Sequence, residues 1–138
     1  YCTADAYFTI KEIDLGMVAD LGTLQRLPKL IPDGVVRELA YTGRKMEAEE
    51  ALRLGLVNRI FPDKTALLEG VMALAGQIAE KSPLSIRGIK RNLLYARDHS
   101  VADSLDYIAN YNAATLLSAD LAAAFQAAVT KQPAKFAD

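Results

Sequence analysis

The sequence is poor in the residue types that announce most specialised chemistries. In 138 residues it has one cysteine, one histidine and no tryptophan. A single thiol, Cys2, cannot close an internal disulfide or furnish a Cys-rich metal site, and it suits a reducing compartment. Aromatic residues make up 7% of the chain, too few for the stacking platforms that single-stranded nucleic acid requires. Neither sign of charge prevails: 16 Lys and Arg stand against 17 Asp and Glu, a net charge of -1. No global field therefore draws nucleic acid or an anionic membrane. No apolar run reaches the roughly 18 residues of a transmembrane helix. Phosphate-binding Gly-rich loops and metal-ligand spacings are missing, and neither end reads as a signal peptide or a known address.

What is present is an ordinary globular composition, 51% apolar and 24% charged, sufficient at this length for one hydrophobic core. Residues 6–13 alternate as a strand, with Phe8, Ile10 and Glu12 on one face and Tyr7, Thr9 and Lys11 on the other. Asp14-Leu15-Gly16 breaks that strand. Asp20 precedes a helix over about residues 22–31, and Pro32-Asp33-Gly34 reads as a turn. Short helices follow over 35–41, closed by Gly43, and over 47–54, stopped by Gly55. Residues 56–61 read as a small strand.

Everything beyond is helical. Leu68, Val71, Ala75 and Ile78 form one apolar stripe. Ser82-Pro83 is a helix start, and Ile86, Ile89 and Leu93 form that helix's expected buried side. Ser100 and Asp103 make a capping box. Leu121, Ala124, Phe125, Ala128 and Val129 line the last helix. Two regions result: residues 1–62, mixed, and residues 63–138, helical. The chain opens at Tyr1 directly into what reads as the middle of a structural unit, so a fragment is expected.

Glu12 and Asp20 are the candidate chemical pair. Two carboxyls flanking an apolar turn can donate and accept protons. On one strand they would lie roughly 26 Å apart, and on one helix about 12 Å. Convergence therefore needs a turn, and Gly16 has the permissive backbone for it. Leu15, Met17 and Val18 around that turn would exclude water and favour the neutral acids. Spacing alone also allows a plainer reading, in which Asp20 caps the following helix and Glu12 ends a solvated strand.

The context of the pair resembles the crotonase (enoyl-CoA hydratase/isomerase) superfamily. The resemblance runs through Phe8-Thr-Ile-Lys-Glu-Ile-Asp-Leu-Gly16, Gly22-Thr-Leu-Gln-Arg-Leu-Pro28 and Tyr41-Thr-Gly-Arg-Lys-Met-Glu-Ala-Glu-Glu-Ala-Leu-Arg-Leu-Gly-Leu-Val57, in the family's order over nearly all of the chain. It implies an α/β fold, the crotonase-type spiral of βα units, here truncated to its C-terminal, mostly helical half. Glu12 matches one of the two acid/base carboxyls of the hydratases. Asp20 stands where hydratases usually have Gly, and Val18-Ala-Asp-Leu-Gly-Thr-Leu-Gln-Arg-Leu-Pro-Lys29 is similar to the Δ3,5-Δ2,4-dienoyl-CoA isomerase branch. So are Tyr1-Cys-Thr-Ala-Asp-Ala6, Phe61-Pro-Asp-Lys64 and Asn92-Leu-Leu-Tyr-Ala-Arg-Asp-His-Ser-Val101.

The implied reaction moves a proton from C2 to C6 of a 3,5-dienoyl-CoA during β-oxidation of unsaturated fatty acids. By the family's pattern Glu12 works near C2 and Asp20 near C6. The family's oxyanion hole and a further active-site aspartate lie upstream of Tyr1, so the 138 residues alone are expected to be inactive. No separate cofactor and no metal is implied, since coenzyme A belongs to the substrate. Homo-trimers or dimers of trimers are implied as the assembly. The location implied is the bacterial cytoplasm, or a mitochondrion or peroxisome in a eukaryote. Two alternatives stay open: a 2-enoyl-CoA hydratase or Δ3-Δ2-enoyl-CoA isomerase in which Asp20 only caps its helix, and a non-catalytic helical oligomerisation module.

Other polar residues read more plainly. His99, between Asp98 and Ser100, suits a loop or cap. Asp103, Asp106 and Asp120 suit helix starts and polar faces. Tyr107 and Tyr111 suit packing. Arg87, Lys90, Arg91 and Arg97 suit a solvated basic face. Lys131-Gln-Pro-Ala-Lys-Phe136 resembles the family's basic tail, but its spacing is one residue longer and implies no contact.

Overall fold

Strand pairing among the described residues is brief, two residues in each ladder. In the computed structural model, which describes residues 1–137, β1 (Cys2–Thr3) runs parallel to β4 (Ile60–Phe61), and β2 (Tyr7–Phe8) runs antiparallel to β3 (Met46–Glu47). The strand expected over residues 6–13 therefore keeps only two residues. Past Phe8, the Thr9 hydroxyl donates to the Gly43 carbonyl at 2.9 Å. Lys11 Nζ then pairs with Asp14 at 2.6 Å across a single 3₁₀ helix, Glu12–Leu15. Glu12 thus sits at the start of a helical turn, a correction to its expected place in a strand. The strand expected over 56–61 likewise contracts to β4.

Two compact units form, Tyr1–Ala73 and a second that begins at Leu74. In the first, α1 (Thr23–Arg26) runs into a 3₁₀ helix, Leu27–Lys29. Pro32 caps α2 (Asp33–Thr42), so Asp33 and Gly34 lie inside its first turn and not in a separate loop. Gly43 ends α2 at φ 61. A Cβ there would stand 3.1 Å from the Asp14 carboxylate and 3.2 Å from Ile13 Cγ2, so both the backbone and the space call for glycine. α3 (Ala48–Arg53) follows β3 directly. Val36, Leu39, Met46, Ala48 and Ala51 pack together as the centre of this unit's core. Arg44 clasps its edge, donating to Glu50 through both terminal nitrogens at 2.7 and 2.8 Å and to Glu38 through Nε at 2.5 Å.

α4 (Lys64–Ala79) begins in the first unit and ends in the second. The second unit then holds α5 (Pro83–Ala96), α6 (Val101–Thr115) and α7 (Ala119–Thr130). Their starts follow the sequence closely. The Ser82 hydroxyl accepts from Ser85 N–H at 3.0 Å, with Pro83 at the first helical position. Ser100 and Asp103 complete both halves of the capping box, and Ser118 caps α7. Gly88 is buried on α5 directly under the Tyr111 ring of α6. Tyr95 lies between His99 and Tyr107, with ring centroids 3.7 and 4.2 Å apart. The expected buried side of α5 is a correction: Ile89 and Leu93 are exposed, because α6 meets α5 on the Gly88 face.

Candidate active site

Glu12 reaches its place through two local devices. Lys11 and Asp14 tie off the 3₁₀ helix, and Gly16, at φ 70, reverses the chain after it. Met17 N–H then donates to the Glu12 carbonyl at 2.9 Å. The reversal carries Met17, Val18 and Ala19 back beside Glu12, and all four line one groove of about 320 Å³. Ile10 and Leu24 add apolar wall, and α2 supplies the opposite side through Val36 and Ala40. Glu12 is half-buried there, and its carboxylate has no hydrogen-bond or ion-pair partner among the described residues. A carboxyl on an apolar wall with free oxygens is able to take or give a proton at a bound carbon acid.

Asp20 follows Ala19 but is exposed and outside the groove's lining. The structure therefore places one of the two candidate acids in the groove and the other just beyond it. Helix capping does not account for Asp20. The N-cap of α1 is Gly22, at φ 93, with no side-chain cap, and the Asp20 carboxylate has no partner among the described residues. The expected apolar shield is not closed either, and this is a correction: Leu15, Met17 and Val18 are 70%, 54% and 75% exposed. The 3₁₀ turn and the reversal after it leave these side chains largely open to solvent.

Sequence reading missed the polar members of the groove. Asp33, Arg37 and Tyr41 line it from successive turns of α2. Their i, i+4, i+8 spacing was the available signal. Arg37 Nε donates to Asp33 at 2.6 Å and Nη1 donates to the Tyr41 hydroxyl at 3.3 Å. These contacts, the Asp33 hydrogen bond foremost, hold the guanidinium above its ordinary value. His99 lies outside the groove, where its Nδ1 meets the Tyr95 carbonyl at 2.8 Å.

The unpartnered Glu12 carboxyl in its apolar groove marks the candidate site of this unit. The chain belongs to the enoyl-CoA hydratase/isomerase family, whose profile matches residues 1–138. Within it, the chain is 52% identical over 136 residues to the mitochondrial Delta(3,5)-Delta(2,4)-dienoyl-CoA isomerase of Rattus norvegicus, covering 98% of this chain and 42% of that protein. It is 47% identical over 137 residues to the peroxisomal protein of the same name from Arabidopsis thaliana, covering 99% of this chain and 49% of that one. The crystal structure of an enoyl-CoA hydratase from Mycobacterium tuberculosis H37Rv superposes with a TM-score of 0.91 at 32% identity, over 98% of this chain and 53% of that chain. The crotonase-type α/β fold expected from the sequence, in its mostly helical part, is thereby shown. The chain spans about half the length, or less, of these relatives.

Proposed function

We propose that the protein carrying this chain isomerises 3,5-dienoyl-CoA to 2,4-dienoyl-CoA, with Glu12 and Asp20 as its proton-transfer carboxyls. The observation that carries this reading is the 52% identity, over almost the whole chain, to a protein named for that reaction. The unpartnered Glu12 in its apolar groove supports it from the side of the geometry.

The chemistry needs only protons and an electron pair. A carboxylate takes the proton at C2, and the C2–H electrons spread through the diene onto the thioester oxygen. A carboxylic acid returns a proton at C6, and the double bonds settle at C2 and C4. Atoms balance, nothing is oxidised, and coenzyme A serves only as the substrate's handle. The negative charge passing over the thioester oxygen calls for backbone N–H donors, which the family resemblance draws from a segment other than residues 1–138. The two carboxyls divide the work, one taking a proton and the other giving one. Closing a second surface over the exposed Leu15, Met17 and Val18 would dry the site. The proposal includes a homo-trimer or hexamer as the working assembly. It also includes an organelle of β-oxidation as the compartment, since the names of the isomerase relatives, mitochondrial and peroxisomal, favour this over the bacterial cytoplasm.

A hydratase reading has its own support in the M. tuberculosis structure. Asp20→Asn in the complete polypeptide separates the two. Dienoyl isomerisation is expected to fall by about 10²–10⁴-fold, the range for loss of one positioned acid or base. Retained isomerisation together with strong hydration of 2-enoyl-CoA would transfer the assignment to the hydratases and return Asp20 to a structural role.

A further inference from the structure

No side chain grips the Glu12 carboxylate, which is without a hydrogen-bond or ion-pair partner among the described residues. Its place in the groove is therefore set by the backbone that carries it, and that backbone meets Gly43 on both sides of Glu12. Ahead of Glu12, the ladder of β2 with β3 stops at Phe8. The next residue, half-buried Thr9, donates its hydroxyl to the Gly43 carbonyl at 2.9 Å. Beyond Glu12, the Asp14 carboxylate and Ile13 Cγ2 lie where a Gly43 side chain would point, 3.1 and 3.2 Å from a Cβ built there. Gly43 is itself buried and fixed. Its N–H donates to the Leu39 carbonyl at 3.0 Å, and Leu39 belongs to the core. Ile10 anchors the same stretch by burial, but burial has no direction, whereas a hydrogen bond does.

We infer that Thr9 is a positioning residue that sets where Glu12 stands, acting through the Gly43 carbonyl; the inference rests on the proton-transfer role proposed for Glu12. Thr9 need not touch substrate. A base must stand within hydrogen-bond reach of the proton it takes, and a misplacement of about 1 Å costs up to about 10²-fold in rate. Without the hydroxyl, residues 9–12 lose their directional tie to α2, and the 3₁₀ helix keeps only its contact with Gly43 on the far side. The loss falls on proton transfer and not on acyl-CoA binding, so it belongs to kcat.

The test is steady-state isomerisation of a 3,5-dienoyl-CoA by the complete polypeptide, read as kcat and KM, with melting followed in parallel. Thr9→Val removes the donor at nearly constant size, and kcat should fall about 10- to 100-fold with KM little changed. Thr9→Ser restores a hydroxyl and should recover most of that loss, whichever way its melting temperature moves. A role confined to stability would lower melting in Thr9→Val and leave kcat per folded molecule unchanged, and that outcome overturns the inference. So does a Thr9→Ser variant as slow as Thr9→Val. If Thr9→Val does not fold, Thr9→Cys, close in size and only a weak donor, decides by the same criteria. Glu12→Gln separates the two readings. If it isomerises normally, the role of Glu12 falls and the inference about Thr9 falls with it; if it is inactive while Thr9→Val turns over normally, only the inference about Thr9 falls.

Discussion

Arg44 shows how much one side chain can organise in a unit with so little sheet. Its guanidinium spans Glu38 on α2 and Glu50 on α3, and it draws the Glu50 carboxyl below its ordinary value of 4.5, chiefly through their hydrogen bonds. A depressed folded value means the pair stabilises fully above that ordinary value and loses its contribution as pH falls through the folded one. Melting temperature should therefore decline as pH is lowered below that ordinary value, and Glu50→Gln should flatten that decline. At neutral pH, Arg44→Met should cost about 1 kcal/mol, since the pair is partly solvated, as read from urea midpoints. Residue by residue, the sequence was most legible where one atom decides the structure: Ser82 and Ser100 cap as their types dictate. Glu12 was expected on a strand face with Phe8 and Ile10; the structure makes it a helical residue and keeps only Ile10 with it in the groove wall. A tie between Thr9 and Gly43, over thirty residues apart, bends the chain there, and periodicity cannot register such a tie.

Helices carried their signal and strands did not, for a physical reason. Caps, prolines and 3.6-residue stripes are local, whereas a two-residue ladder is defined by its partner. Which face of a helix finds a neighbour is also non-local, and so Ile89 and Leu93 were misplaced while Gly88 turned out to be the contact. At Gly88 a Cβ would approach the Tyr111 ring to 2.6 Å. Alanine normally improves a helix interior by roughly 1 kcal/mol over glycine, but overpacking costs about 1–3 kcal/mol. Gly88→Ala should therefore destabilise the α5–α6 pair, while Gly76→Ala on α4, with nothing within 4 Å of the new methyl, should stabilise. Thermal melts of the two variants check both signs. Combining Gly88→Ala with Tyr111→Leu should recover much of the loss, as a coupled pair does.

Across the chain, apolar surface is left uncovered in a way that composition alone did not reveal. Leu117 is 97% exposed and Val129 80%, and Leu105 and Phe125 are exposed with them on α6 and α7. Among the described residues no single helix is long and apolar enough to cross a membrane. Surface of this kind on separate helices favours association. Sedimentation equilibrium should show a mass that rises with concentration, and Leu117→Glu with Phe125→Glu should lower it. A single-species monomer at every concentration would refute this expectation. The family's order of motifs was legible throughout, because it lies in the sequence itself. The surface each helix leaves bare was not, because exposure is settled by what the rest of the chain fails to reach.

The parallel pairing of Cys2 with Ile60 and Thr3 with Phe61 has a consequence in time. The ladder joins segments farther apart in the chain than the Tyr7–Glu47 and Phe8–Met46 pairing does, so it must wait until Phe61 has been synthesised, and closing so long a loop costs entropy before any reward arrives. During that interval the buried Cys2 thiol is open to solvent. The rate at which it becomes inaccessible to a thiol reagent in a refolding reaction is thus a clock for completion of the unit that holds Glu12.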